Sequence, residues 1–100
     1  MKEKIINAIY HLWEDEFKMK KVQLKSAVPC VSAIDCFQFK NLFIRLCTFQ
    51  QKDIGRVYCV EAADKSEAVN NAFEDAWLYY ESDGIENIIS EMKKDLENDK

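Results

Sequence analysis

The stretch Leu42-Phe43-Ile44-Arg45-Leu46-Cys47-Thr48-Phe49-Gln50-Gln51-Lys52-Asp53-Ile54-Gly55-Arg56-Val57-Tyr58-Cys59-Val60-Glu61-Ala62 decides the fold of this chain. Its two halves, Leu42 to Gln50 and Ile54 to Ala62, are rich in aromatic and β-branched residues. Gln50-Gln51-Lys52-Asp53-Ile54-Gly55 supplies turn chemistry between them. Together they predict a β-hairpin. Folding it about Asp53 sets Arg45 opposite Glu61, Leu46 opposite Val60 and Cys47 opposite Cys59. An opposite-charge pair and an apolar pair then fall on alternate faces, as cross-strand packing requires. A slip of one residue loses both matches, so the pattern specifies the register. The Cys47/Cys59 face also carries Phe43, Phe49 and Val57. With both faces apolar, the sequence calls for helices on both sides, or for one face used as a binding or homodimer surface.

Working outward, residues Lys2 to Lys18 place Ile5, Ile6, Ile9, Tyr10, Leu12, Trp13 and Phe17 at helical spacing, an amphipathic helix. From Lys20 to Val28 the period changes to two, with Val22, Leu24 and Val28 facing inward and Lys21, Gln23 and Lys25 outward. Pro29 ends this strand, Cys30 to Asp35 reads as a loop or single turn, and Cys36 to Phe39 as a further strand. Asp64, with Glu67 three residues on, opens a helix expected from Lys65 to Glu81. Its apolar arc is Val69, Ala72, Phe73, Ala76, Trp77 and Tyr80. Ser82-Asp83-Gly84 breaks it, and Asp83 with Glu86 caps a last helix that buries Ile85, Ile88, Ile89, Met92 and Leu96. The tail from Glu97 to Lys100 is expected to fray. The fold expected is α+β in one domain, residues 1–100: an N-terminal helix, a three- to four-stranded antiparallel sheet and two C-terminal acidic helices.

Charge is unevenly placed. Residues 1–60 hold ten Lys or Arg and six acids, whereas residues 61–100 hold four Lys and twelve acids, so the net −4 conceals a basic half and an acidic half. Such a chain points to a cationic partner surface. No segment is long and apolar enough to span a bilayer, and Met1-Lys2-Glu3-Lys4 leads into an amphipathic run, not a signal-peptide core, so a cytoplasmic protein is expected. Cys30, Cys36, Cys47 and Cys59 contain no C-x-x-C spacing and read as small buried hydrophobes, with no metal or other cofactor expected.

Catalytic patterns are missing. Gly55 and Gly84 are the only glycines, which excludes a Walker A loop or a dinucleotide fingerprint, and His11 has no partner at a telling spacing. A non-catalytic protein is therefore expected. Direct nucleic-acid binding through Lys20, Lys21 and Lys25 beside sheet aromatics is opposed by the acidic half, which repels phosphate. The acidic helix carries the stronger signal. At 100° per residue, Glu67, Glu74 and Glu81 lie within about 40° of one another, with Leu78 and Asn71 on the solvent side. Asp75, Asp83 and Glu86 extend the row around the turn. Carboxylates in a row accept bidentate bonds from Arg and imitate nucleic-acid phosphates before a basic groove, while Leu78 supplies apolar anchorage.

In the layout of helix, antiparallel strands and acidic helices, the chain resembles the small anti-CRISPR proteins of phages and prophages that block type II CRISPR nucleases. The likeness is closest over Ser66-Glu67-Ala68-Val69, Ala72-Phe73, Trp77 and Glu81-Ser82-Asp83. It implies a DNA mimic acting in a bacterial host cell, with Glu74, Glu81, Asp83 and Glu86 in the basic groove of a nuclease or other nucleic-acid enzyme. A toxin-immunity protein and a small nucleic-acid-binding regulator using the sheet face are the alternatives.

Overall fold

In the computed structural model, which describes residues 2–22, 33–70, 73 and 75–98, the chain is a five-stranded antiparallel meander with two helices on one face. The strands, β1 (Lys20–Val22), β2 (Ala33–Phe39), β3 (Leu42–Gln51), β4 (Gly55–Ala63) and β5 (Asp75–Tyr80), lie in the order in which they occur. The helices are α1 (Lys2–His11), the short α2 (Lys65–Val69) and α3 (Ile85–Asn98). Among the described residues, no helix is long and apolar enough to cross a membrane.

The central hairpin forms in the register its sequence requires: Arg45 opposite Glu61, Leu46 opposite Val60 and Cys47 opposite Cys59. Asp53 (φ 69°) and Gly55 (φ 101°) turn the chain in left-handed backbone conformations. Phe39 and Leu42 close the preceding hairpin across Lys40 and Asn41, with Lys40 at φ 58°. The inner face contributes Phe37, Phe39, Ile44, Leu46, Tyr58, Val60, Ala62 and Tyr79 to the core. Onto these pack Ile5, Ile9, Leu12 and Trp13 from the N-terminal helix, and Ile88, Met92 and Leu96 from α3. Trp13 and Phe37 meet edge to face, their ring centres 5.3 Å apart.

The N-terminal helix departs from its expected course. Beyond His11 it widens into one π turn, Leu12–Glu16, with Phe17 N–H bonding the Leu12 carbonyl at 3.0 Å. Met19 N–H then reaches the Trp13 carbonyl at 2.8 Å across Lys18 at φ 55°, a Schellman-type stop that buries both Met19 and Trp13.

Four expectations are corrected. The sheet has five strands, not three or four, because Asp75–Tyr80 pairs with β4 as a strand instead of continuing a helix. The acidic helix expected from Lys65 to Glu81 is thus only the five residues of α2, and α3 is the one long C-terminal helix. Residues 33–35, expected in a loop, begin β2. Lys21, expected on a basic outer face, lies on the helix side, its ammonium 5.4 Å from the Tyr10 ring centre and 3.7 Å from Asp35. At the C-terminus α3 runs to Asn98 and so includes Glu97 and Asn98 of the expected tail. The expectations for Gln23 to Val28, Pro29, Cys30 and Ala72 lie outside the described residues.

Candidate docking surface

The outer sheet face falls into two parts. In the first, Arg45 Nε donates to Glu61 Oε1 at 2.9 Å, and Cys47 Sγ donates to the same oxygen at 3.0 Å. The Phe73 ring lies 4.0 Å from the Arg45 guanidinium, a cation–π contact that covers the pair. Both charged side chains are largely withdrawn from water, at 13% and 18% exposure. Cys36 stands opposite Arg45 across β2 and β3. Burial pushes its thiol up to about 11, against the opposing pull of Arg45. A thiol so raised is a poor nucleophile at neutral pH, and the arginine charge is met by its own carboxylate. The cluster ties β3 to β4 through Glu61. Among the described residues, no group of three His, Cys, Asp or Glu is arranged to hold a metal ion.

The second part is less covered. Leu78 projects from β5 opposite Cys59 and is 49% exposed, and Phe49 on β3 is 38% exposed. Tyr80 and Cys59 are half-buried beside them. At this end the chain leaves β5 through the single 3-10 turn Glu81–Asp83 and enters α3. Glu81 is half-buried and accepts the Tyr58 hydroxyl at 3.5 Å. Burial and the neighbouring Glu81 carboxylate together push that phenol up to about 12. Asp83 and Glu86 are exposed, and neither is ion-paired with a described residue. With Gly84, Ile85 and Asn87 they line a shallow, open depression at the start of α3.

These positions settle what became of the expected row of carboxylates. Glu67 is engaged elsewhere: its Oε1 accepts from Asp64 N–H at 3.1 Å while Asp64 accepts from Glu67 N–H at 2.9 Å, a capping box that starts α2. The helical alignment of Glu67 with Glu81 does not exist, because α2 ends at Val69 and a strand follows. Asn71 and Glu74 lie outside the described residues. Asp75 opens β5 opposite Ala62. Leu78, Glu81, Asp83 and Glu86 follow one another in sequence from β5 into α3, Leu78 on the outer face and Glu81 beside Tyr58 of the inner face, and Glu67 stands apart.

Two buried-edge contacts escaped the sequence reading. The Tyr79 hydroxyl donates to Asp95 at 2.5 Å, tying β5 to α3, and the Tyr10 hydroxyl donates to Asp35, tying α1 to β2. In both, burial first and the bonded carboxylate second hold the phenol well above its ordinary value. Comparison with protein families, curated proteins and solved structures gave no match, so function is read from this surface alone.

Proposed function

We propose that the protein is a non-catalytic acidic binding protein that inhibits a nucleic-acid-processing enzyme, in the manner of an anti-CRISPR DNA mimic. It docks Leu78 and the acids that follow β5 against a basic groove of its target. One observation carries this reading: Leu78 is exposed near the end of β5, and the chain that follows carries Asp83 in the turn and Glu86 at the start of α3, both exposed and without a cation among the described residues. Such carboxylates are available to Arg or Lys of a partner, and the leucine supplies the apolar anchor that charge alone lacks. The uneven charge of the chain adds steering toward a cationic surface.

An affinity experiment tests it. Wild type and an Asp83→Lys, Glu86→Lys variant are used to capture proteins from bacterial lysate at low and high salt. The captured enzymes are then assayed for inhibition by added protein. The expected outcome is a nucleic-acid enzyme that wild type binds at low salt, releases at high salt and inhibits, and that the variant neither binds nor inhibits. Inhibition that survives charge reversal would remove this surface from the interface.

A further inference from the structure

We propose that β5 is a strand-addition site, taking an extended segment of a partner protein that is apolar in its middle and carries Lys or Arg at its ends. This rests on the reading of the protein as one that docks on a basic partner, and it names the form of the contact.

The two edges of the sheet are built differently. Among the described residues β1 comprises Lys20, Lys21 and Val22, and both lysines are exposed. Lysines on an edge strand are a usual guard against pairing with another chain. β5 is six residues, Asp75 to Tyr80, without lysine or proline and without a left-handed residue. It pairs with β4 in unbroken register from Tyr80 opposite Val57 to Asp75 opposite Ala62. Among the described residues nothing pairs with its other side. An unbroken edge of this kind presents main-chain donors and acceptors to an incoming strand, and side chains above and below set its preference. Leu78 is exposed on the outer face and Trp77 is half-buried on the inner face, so each can meet an apolar side chain of the added strand.

Charge decides the occupant. Asp75 opens the strand, and Glu81 and Asp83 follow it. A second copy of this chain, added antiparallel about Leu78, would bring the acidic turn Glu81–Asp83 of each copy to the end of the other's β5 that Asp75 opens. Like charges in that position oppose pairing. Lys or Arg at the ends of the incoming segment turns the same positions into opposite-charge pairs.

The probe is a synthetic peptide, acetyl-Lys-Thr-Val-Ile-Val-Thr-Arg-amide. It is compared with a version ending in Glu at both sides, and with two versions N-methylated at alternate amides. Binding is followed by titration and by amide hydrogen exchange of the full chain. The expected result is protection of β5 amides, with binding weakened about tenfold or more by the Glu ends and by one N-methylation frame only. An Ala76→Lys variant changes one exposed side chain of β5, leaves the core and Leu78 intact, and should bind about tenfold more weakly. Equal binding by both N-methylated frames and the parent, or protection away from β5, would overturn the proposal. If this variant still captures and inhibits the enzyme that Asp83→Lys, Glu86→Lys cannot, edge pairing fails and the inhibitor reading stands. Peptide pairing at β5 by a protein that inhibits no nucleic-acid enzyme leaves the edge site and removes the inhibitor reading.

Discussion

Glu61 serves two neighbours with one oxygen, holding the Arg45 guanidinium and the Cys47 thiol on a face where little water reaches. Replacing it by alanine removes the carboxylate and leaves the arginine charge in that setting. Glu61→Ala should cost about 2 kcal/mol in urea unfolding, the range for a hydrogen bond to a charged group. The double variant Arg45→Met, Glu61→Leu should recover most of this, since an apolar pair of similar volume has no charge to leave behind. A double variant as unstable as the single would show that packing, not charge, sets the cost. This pair was legible in the sequence because the partners sit across one hairpin and alternation fixes their register. The cap that Phe73 places over it was not, because a helix was expected where Phe73 stands, and nothing local ties that ring to Arg45.

The element that misled is β5. Ala68, Ala72 and Ala76 with Glu67 and Glu74 give residues 65–81 a helical composition and a helical apolar arc. The run Trp77, Leu78, Tyr79, Tyr80 carries the opposite, strand-favouring signal, and in the fold it prevails. What decides is tertiary: β4 offers an open edge, and Tyr79 finds both the core and Asp95. No window of sequence shows either. The candidate site changed for the same reason, from a helical line of acids to a leucine and an acidic turn at a sheet edge. The element scale also yields a test of the hairpin that was read correctly. Gly55 sits at φ 101°, and an added Cβ would meet nothing within 4 Å, so any cost of Gly55→Ala is backbone strain alone. The variant should lose about 1–2 kcal/mol of stability in thermal or urea unfolding. An unchanged midpoint would mean that the turn relaxes to a different backbone conformation.

Across the molecule, the phenols and one thiol tie stability to alkaline pH. Cys36 is pushed up to about 11 and Tyr58 up to about 12, both chiefly by burial, and Tyr10 and Tyr79 are raised further. All are neutral when protonated. With the folded values above the unfolded ones, the folded chain holds more protons in the window between them, so stability falls as pH rises through it. The stabilisation is complete below about pH 8.5 and is lost progressively above it, most steeply beyond about pH 10 where unfolded tyrosine ionises. Melting temperatures should be level from neutral pH to about pH 8.5 and then drop. In Tyr79→Phe the drop above about pH 10 should be shallower. A melting temperature that holds through about pH 11 would refute the assignment.

The chain has two tryptophans, and the fold gives them separate tasks as optical reporters. Trp13 has no exposure and lies against Phe37 at the centre of the helix–sheet interface, so its emission belongs to an apolar medium and changes when the core opens. Trp77 is half-buried in β5, where solvent contact changes when that edge is covered. Without any added label, one indole records whether the molecule is folded and the other whether its open edge is occupied.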